Sequence, residues 1–402
     1  MALVIPDHLD PARWRGIPRL ADLLAALGGE AGETRFVGGF VRDGLRGVVG
    51  KDIDLATRLS PETVMARVAA AGLKAVPTGL AHGTVTVPLP EGPVEVTTLR
   101  RDVSTDGRHA VVDFTDDWRE DAARRDFTIN ALFAATNGGI TDYFGGLADL
   151  AAGRIRFIGD PLLRIAEDHL RILRFFRFHA RFAAGPPDEA AITACRARAN
   201  DLMALSRERI ADEMLKLLAL DDPTPTVALM LANGILTPVL PEMTEAARLA
   251  ALVAREQALG VAPDPLRRLA ALLPAEPATA DAVAARLKLS NAARKRLRLA
   301  AEDASGPVLA TAYMLGTDAA RDRALLYAGD AGAALAALDG WERPILPVSG
   351  GALIAAGVPK GPLVATALQK IERRWIAEGF PDRDRVAAIT AEEVAQASRS
   401  SR

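Results

Sequence analysis

Two aspartates separated by one residue, Asp52 and Asp54, are the first candidates for chemistry in this chain. They lie in a stretch that predicts a strand, in which residues i and i+2 share one face. Both carboxylates should therefore point the same way, while Ile53 and Leu55 face a core. Two neighbouring carboxylates repel each other unless a cation or a proton lies between them, and hard oxygen ligands at this spacing suit Mg²⁺. The pair predicts a magnesium site.

Two glycines, Gly38 and Gly39, precede this pair. Because they lack a Cβ, their backbone N–H groups are accessible, which is how a chain commonly approaches a phosphate. A third carboxylate, Glu95, lies in an alternating run whose valines should face a core, so Glu95 takes the other face. Such a carboxylate on a neighbouring strand would complete a two-metal site for phosphoryl-type transfer.

Each part of this set also has a simpler interpretation. A single Asp-x-Asp more often marks a strand end or a turn, and Glu95 alone could be a solvated surface residue. The order of the set favours a metal-nucleotide site, because the glycines come first, Asp52 and Asp54 follow, and a strand glutamate comes last.

The segment RRDFTINAL, from Arg124 to Leu132, is a second candidate for binding. Its apolar residues predict an anchor in the core and leave Arg125, Asp126 and Asn130 as polar groups. A guanidinium offers a planar fork for phosphate, and an aspartate or asparagine can bond ribose hydroxyls. An ordinary exposed helix start is the alternative interpretation.

The stretch 161–182 predicts one long helix. Its polar residues lie on one stripe at helical spacing: Arg164, Glu167, Asp168, Arg171 and Arg174. A ladder of surface ion pairs, each worth under about 1 kcal/mol, is the simplest interpretation. However, residues 154–181 contain seven arginines and three acidic residues, and a local basic face suits a phosphate-rich ligand.

The elements that must position these residues follow from the hydrophobic pattern. Apolar or alternating runs predict strands at 35–41, 52–57, 83–88 and 93–99. A helix should begin after Ser60, with Pro61 in its first turn. From about Ile155 onward, helical patterns replace the alternating ones.

Composition sets further limits. A chain of 402 residues predicts two to four domains, because domains commonly have about 100–200 residues. A net charge of −2 excludes a generally basic nucleic-acid binder but leaves room for a local patch. The single cysteine, Cys195, excludes an internal disulfide framework and a multi-cysteine zinc site. No signal peptide is recognisable and no stretch approaches about 18 apolar residues, so a cytoplasmic location away from membranes is expected.

Five motifs occur in an order that resembles the class II tRNA nucleotidyltransferases, the bacterial CCA-adding enzymes and their poly(A) polymerase relatives. They are GGFVRD from Gly38, Asp52-x-Asp54, RRDFTINAL from Arg124, DPLLRIAEDHLRILRFFRF from Asp160 and SRERIADEMLK from Ser206. The resemblance implies an α+β chain, with an N-terminal palm-like mixed-sheet nucleotidyltransferase domain followed by an elongated all-α region. It implies a catalytic head at 1–150, a base-recognition neck at 151–220, an RNA-binding body at 221–340 and a helical tail with a frayed C-terminus at 341–402.

The resemblance also implies a role for each site residue. Catalytic Mg²⁺ would be held by Asp52 and Asp54, with Glu95 as the third carboxylate. The triphosphate would be held by Gly38, Gly39 and Arg42, and the nucleotide and its sugar would be oriented by Arg125, Asp126 and Asn130. The base would be read by Asp168 and Arg171 on a helix that is braced by Glu167, Ser206, Glu208 and Arg209. Phosphate contacts would come from Arg164 and Arg174.

The proposed base readers are chemically consistent with a choice of C and A. Both bases present an exocyclic amine beside a ring acceptor, which a carboxylate and a guanidinium can bind. Uracil and guanine would leave those charges unsatisfied, at a cost of several kcal/mol.

The expected reaction is template-independent addition of CCA to the 3′ end of tRNA from CTP and ATP, with pyrophosphate release. A poly(A) polymerase, a CC-only enzyme and an A-only enzyme are the alternatives within the family, and the segment GRHAVVDF at 107–114 favours CCA addition. A catalytically silent RNA-binding protein is the alternative of another class, against which the intact carboxylates argue. The oligomeric state is not predicted.

Overall fold

The structure of the chain, a computed structural model, describes residues 5–48, 52–105, 110–302 and 306–400. The chain forms two compact units, Met1–Pro241 and Glu242–Arg402. No helix in the described ranges is long and apolar enough to cross a membrane.

All strands within the described residues lie in the first unit. Its strands are β1 (Thr34–Val37), β2 (Ile53–Thr57), β3 (Val76–Gly79), β4 (Thr84–Leu89), β5 (Gly92–Thr98), β6 (Arg100–Thr105), β7 (Ala110–Phe114), β8 (Leu132–Ala134) and β9 (Ile140–Asp142). Seven of them form a sheet in the order β3-β4-β5-β2-β1-β8-β9, and β6 and β7 form a separate two-stranded hairpin. The β2–β5 pair is parallel and its neighbours are antiparallel, so the predicted mixed sheet is confirmed.

The two faces of this sheet differ as the sequence predicts. Ile53 and Leu55 on β2 are buried, as are Val94 and Val96 on β5. The alternate positions face the opposite side, because the side-chain period of a strand is two. The central strands therefore carry their carboxylates together on one face.

The helices of the first unit cover the sheet and follow it in sequence. They are α1 (Ala12–Arg15), α2 (Leu20–Ala26), α3 (Gly39–Leu45), α4 (Pro61–Ala70), α5 (Trp118–Ala123), α6 (Gly146–Ala152), α7 (Pro161–Glu167), α8 (Arg171–Phe182), α9 (Glu189–Ala197), α10 (Arg207–Leu218) and α11 (Thr224–Ala232). Short 3₁₀ segments lie at Leu80–His82, Thr128–Asn130 and Ala199–Ala204. The predicted cap of α4 is confirmed, because the Ser60 side chain accepts a hydrogen bond from the Thr63 N–H.

The prediction of one long helix over 161–182 is wrong. The chain leaves helical geometry at Asp168, whose φ of −150° and ψ of 107° are extended, so α7 and α8 are separate helices. The Asp168 carboxylate accepts a hydrogen bond from the Leu170 N–H at 3.1 Å, which is the local bonding by which aspartate competes with a helix. The apolar stripe misled the prediction because Ile165 on α7 and Phe176 on α8 are both fully buried despite the break.

The second unit is helical throughout its described residues. Its helices are α12 (Ala247–Ala258), α13 (Pro265–Leu272), α14 (Pro277–Arg286), α15 (Asn291–Ala301), α16 (Val308–Leu315), α17 (Thr317–Tyr327), α18 (Ala331–Leu338), α19 (Gly350–Ala355), α20 (Pro362–Ala377) and α21 (Arg383–Ser400). Its core includes a buried ionic cluster in which Glu256 pairs with Arg267 and Arg268.

Candidate active site

A cleft of about 850 Å³ in the first unit collects most of the predicted site residues. Those that line it are Gly38, Gly39, Arg42, Asp52, Asp54, Glu95, Arg125, Asp126, Asn130, Asp168, Arg171 and Arg174. The remaining predicted residues do not line it: Arg164, Glu167, Ser206, Glu208 and Arg209. The cleft therefore brings the polar face of the sheet together with the start of α8.

Three carboxylates lie on one side of the cleft. Asp54 on β2 is directly opposite Glu95 on β5 in the parallel register. Burial, the charge of Glu95 and the charge of Asp52 raise the pKa of Asp54 to about 6, although Arg125 opposes this shift. None of the three carboxylates makes a side-chain hydrogen bond or an ion pair within the described residues. Their mutual repulsion is thus left for a cation to neutralise.

The metal-ligating potential of these carboxylates is limited. In the part of the chain that the structure describes, no three or more His, Cys, Asp or Glu side chains are close enough to hold a metal ion together. Mg²⁺ commonly takes only one or two protein carboxylates and completes its shell with substrate phosphates and water. The Asp52 and Asp54 pair fits such an ion, whereas a closed three-carboxylate centre is not assembled.

The turn between β1 and α3 forms the next wall. Gly38 has a φ of 67° and a ψ of −129°, a backbone region that only glycine adopts readily. A Cβ on Gly38 would lie 3.8 Å from both Arg125 Nη1 and Asp54 Oδ2. The glycine therefore keeps the backbone close to the carboxylates and to Arg125.

The side chain of Arg42 on α3 lies close to the same glycine turn. It is buried, and this burial lowers the pKa of its guanidinium. Its Nε donates to Asp43 at 2.8 Å and its Nη1 donates to Asn130 Oδ1 at 2.5 Å. The remaining nitrogen, Nη2, lies 3.7 Å from the position that a Cβ on Gly39 would take. Two edges of the guanidinium are thus fixed and the third faces the glycine turn.

The RRDFTINAL segment follows α5 and is anchored as predicted, with Phe127, Ile129 and Leu132 fully buried. Asp126 Oδ1 accepts from the Phe127 N–H and from Asn130 Nδ2, and its Oδ2 accepts from Arg174 Nε at 2.8 Å. Burial alone would raise the pKa of Asp126, but Arg174 and the hydrogen bond from Asn130 outweigh burial and lower it to about 2. Asp126 is therefore an ionised link between this segment and α8.

Asp168 and Arg171 lie at the junction of α7 and α8, and each is held by a different group. Arg209 Nη2 donates to Asp168 Oδ2 at 2.8 Å. Arg171 Nη1 donates to Glu167 Oε2 at 2.5 Å, and its Nη2 donates to the Arg124 carbonyl at 2.9 Å. Arg209 and Glu167 therefore contact Asp168 and Arg171 without lining the cleft, and their bracing role stays a prediction.

Three other predicted residues lie away from the cleft. Arg164 donates to the Ala123 carbonyl and pairs with Glu167 at 2.6 Å, so its guanidinium is engaged outside the cleft. Ser206 caps α10 by accepting from the Arg209 N–H. Glu208 lies in the first turn of the same helix.

Two buried acids that the sequence analysis did not select hold arginines of the cleft. Asp121 on α5 pairs with Arg125 at 2.9 Å, and Glu213 on α10 pairs with Arg177 at 2.5 Å. Glu213 occupies the apolar face of α10, and an acid at such a position is the signal that could have identified it. The cleft is also lined by Arg100, Arg124, Arg177, Phe178 and Lys216.

Two family models match parts of the first unit and its junction with the second. The model described as the poly A polymerase head domain matches residues 34–156. The model described as a probable RNA and SrmB-binding site of polymerase A matches residues 187–247.

Named relatives and solved structures extend this similarity over most of the chain. The mitochondrial CCA tRNA nucleotidyltransferase 1 of Mus musculus is 34% identical over 384 residues, which cover 91% of this chain and 87% of the relative. The structure of the Bacillus stearothermophilus CCA-adding enzyme in complex with CTP has a TM-score of 0.74 at 28% identity, and the match covers 95% of this chain and 99% of that one.

The fold is shared more widely than the sequence. The Thermotoga maritima CCA-adding enzyme complexed with tRNA has a TM-score of 0.70 at 22% identity, with 98% of this chain and 100% of that chain covered. The fold, the ordered motifs and the nearly full-length similarity to the mouse relative agree with one another. The chain therefore belongs to the CCA tRNA nucleotidyltransferase family.

Proposed function

We propose that this protein adds C and A nucleotides to the 3′ end of tRNA from CTP and ATP without a nucleic-acid template. The 3′-hydroxyl of the RNA attacks the α-phosphate and pyrophosphate leaves. The observation that carries the proposal is the shared cleft, which is lined both by the carboxylates of the sheet and by Asp168 and Arg171. Transfer chemistry and base choice can then occur on one bound nucleotide.

Asp52 and Asp54 are the residues that would hold Mg²⁺, with Glu95 as the third carboxylate beside them. When bound, the metal supplies activation of the attacking hydroxyl and neutralisation of the leaving oxygens. The raised pKa of Asp54 supports this assignment, because a bound cation would offset both the burial of its charge and the repulsion by Glu95 that raise the pKa.

The triphosphate would lie against Gly38 and Gly39, where no Cβ prevents close approach. The guanidinium of Arg125 lies near Gly38 and that of Arg42 lies near Gly39, so both place positive charge beside this turn. Arg174 is committed to Asp126 and, at 3.8 Å, to Glu213, so we assign it to holding the Asp126–Asn130 pair that would face the sugar. Arg164 would brace Glu167 and not contact phosphate, since it does not line the cleft.

Asp168 and Arg171 would read the base. A carboxylate accepts from the exocyclic amine of C or A while a guanidinium donates to the ring nitrogen. Each side chain is held by a neighbour, which fixes its direction before a nucleotide arrives. A rigid pair of this kind penalises U and G, because their opposite donor and acceptor order leaves buried charges unpaired.

The partner would be tRNA, held by phosphate and shape contacts of the helical part of the chain, as duplex RNA generally requires. The RNA-binding family model at 187–247 supports this assignment. The predicted cytoplasmic location stays a prediction, because the mouse relative carries a mitochondrial name.

One assay tests the proposal against its rivals within the family. tRNA that lacks CCA, tRNA that ends in CC and oligo(A) are each incubated with CTP, ATP or both, and the 3′ ends are sequenced. We expect CCA on the first substrate and a single A on the second. Long A tails on oligo(A) would favour a poly(A) polymerase, addition that stops at CC would favour a CC-only enzyme, and A on CC-ended tRNA alone would favour an A-only enzyme. No incorporation with any substrate would favour a silent RNA-binding protein.

The segment 107–114, which favours CCA addition in the sequence, lies partly outside the described residues.

A further inference from the structure

We propose that Asp121 is a positioning residue for nucleotide binding, because its buried carboxylate fixes the direction in which Arg125 enters the cleft. This inference rests on the proposed function, in which the cleft binds a nucleoside triphosphate. Asp121 lies on α5 outside the five motifs that suggested the family.

The contact between Asp121 and Arg125 is a two-point one. Asp121 Oδ2 accepts from Arg125 Nη2 at 2.9 Å and from Arg125 Nε at 3.3 Å. A carboxylate that meets a guanidinium along this edge sets the plane of the fork as well as its position. The ring of Phe133 lies 5.4 Å from the Arg125 guanidinium carbon and supports one face of it.

This arrangement leaves one nitrogen of Arg125 directed at the reaction side of the cleft. Nη1 makes no hydrogen bond to Asp121 and lies 3.8 Å from the position of a Cβ on Gly38. The same Cβ position is 3.8 Å from Asp54 Oδ2. Nη1 is therefore aimed at the space between the glycine turn and the carboxylate, where a phosphate oxygen would lie.

Asp121 itself cannot touch a substrate, because it is only 1% exposed and does not line the cleft. Its Oδ1 accepts from Arg124 Nη2 at 2.7 Å and from the Arg100 backbone N–H at 3.3 Å. Arg100 begins β6, so one carboxylate holds the base of the β6–β7 hairpin and two arginines of the cleft wall. Asp121 acts on the nucleotide only through these neighbours.

Asp121 stays charged in this position. Burial opposes ionisation, but the charges of Arg125 and Arg124 outweigh it and lower the pKa of Asp121. Replacement by asparagine keeps the shape and removes the charge, and an amide can no longer accept along both arginine edges.

The chain offers a closely matched control. Asp149 is also 1% exposed and also holds two arginines, Arg154 at 3.0 Å and Arg156 at 2.9 Å. Neither of those arginines lines the cleft. Asp149 also accepts a hydrogen bond from Thr128 Oγ1 at 2.7 Å, and Thr128 does not line the cleft either. Asp121→Asn and Asp149→Asn therefore both remove a buried carboxylate that holds two arginines, and differ in whether those arginines line the cleft.

The experiment measures the Kd of CTP by equilibrium dialysis with Mg²⁺, together with KM for CTP, KM for tRNA and Tm. For Asp121→Asn we expect Kd and KM for CTP to rise by about tenfold, as loss of one charge-assisted contact predicts, with KM for tRNA changed less than about twofold. Asp149→Asn should lower Tm comparably and leave Kd and KM for CTP near the original values. Unchanged Kd for CTP in Asp121→Asn, or an equal rise in Asp149→Asn, would overturn the proposal.

A variant of Arg125 keeps the proposal testable if Asp121→Asn does not fold. Arg125→Lys retains the charge but loses the fork, and its Kd for CTP should rise to a similar degree. If Asp121→Asn does fold, the double variant Asp121→Asn/Arg125→Gln should have a Kd for CTP close to that of Arg125→Gln alone, because Arg125 carries most of the effect of Asp121 on the nucleotide. A wild-type Kd for Arg125→Lys, or multiplying effects in the double variant, contradicts the proposal. Absence of incorporation by the unchanged protein would contradict the proposed function instead, because the dialysis measurement does not depend on turnover.

Discussion

Asp54 on β2 lies directly opposite Glu95 on β5. These two strands form a parallel pair within the seven-stranded sheet. Parallel strands run in register here, so the two acids face the cleft side by side. Burial, together with the nearby charge of Glu95, raises the pKa of Asp54 from 3.8 to about 6. Ionising Asp54 therefore costs free energy in the folded protein that it does not cost in the unfolded chain.

This cost, from burial and from repulsion, predicts that Asp54→Asn stabilises the metal-free protein at high pH. Below about pH 4 the carboxyl is protonated in both states. As pH rises from about 4 to 6 the unfolded state loses its proton first, so stability falls across this window and stays lower above it. The shift corresponds to about 2–3 kcal/mol, and Asp54→Asn should regain that amount at pH 8 and almost nothing at pH 4. Thermal unfolding in EDTA at both pH values measures it.

The same variant should lose nucleotide incorporation, since the proposed metal site loses a ligand. Asp52→Asn is the matched control, because Asp52 is exposed and contributes least to the raised pKa of Asp54. It should also lose incorporation but gain less stability at pH 8. A lower Tm for Asp54→Asn than for the original protein at pH 8 would contradict this account.

The glycine turn predicts a second result. Gly38→Ala should destabilise the first unit by about 1–3 kcal/mol, because alanine is strained at a φ of 67° and a ψ of −129°. It should also weaken CTP binding, because the new methyl group would lie where a phosphate approaches. Gly32→Ala is the control: Gly32 has a φ of 75°, has no atom within 4 Å of its Cβ position and does not line the cleft. A Kd for CTP that rises equally in both variants would contradict the role of Gly38.

The sequence predicts the sheet face well because a strand has a strict period of two. Ile53 and Leu55, which alternate with Asp52 and Asp54 along the chain, are buried in the structure, as this period requires. The sequence does not predict the helix break at Asp168. An apolar stripe does not reveal where a side chain takes the place of a backbone hydrogen-bond acceptor. Asp121 was also missed, since its importance depends on partners at Arg100 and Arg125 that only the folded chain brings together.

The position of Asp168 outside a helix leads to the third prediction. Its direction depends on Arg209, which donates to Asp168 Oδ2 at 2.8 Å. Arg209→Ala should therefore loosen the base reader and lower the preference for CTP over UTP by about tenfold, as loss of one charged hydrogen bond predicts. Single-turnover incorporation of each nucleotide measures the ratio.

Arg198→Ala is the control for this prediction. Arg198 pairs with Asp201 at 2.8 Å, and neither residue lines the cleft. The CTP to UTP ratio should stay near its original value in this variant. An unchanged ratio in Arg209→Ala would show that Asp168 is held well enough by the Leu170 N–H alone.

The last prediction concerns the ionic cluster of the second unit. Glu256 is 1% exposed, and its two oxygens accept from Arg267 Nε at 2.7 Å and from Arg268 Nε at 2.8 Å. Glu256→Ala should destabilise this unit by about 3–5 kcal/mol, because it removes the carboxylate that both buried arginines share. Asp281→Asn, which breaks a partly exposed pair with Arg294, should change the unfolding midpoint far less. Denaturant unfolding followed by circular dichroism separates the two variants, and equal midpoints would mean that water or a rearranged neighbour compensates the buried charges.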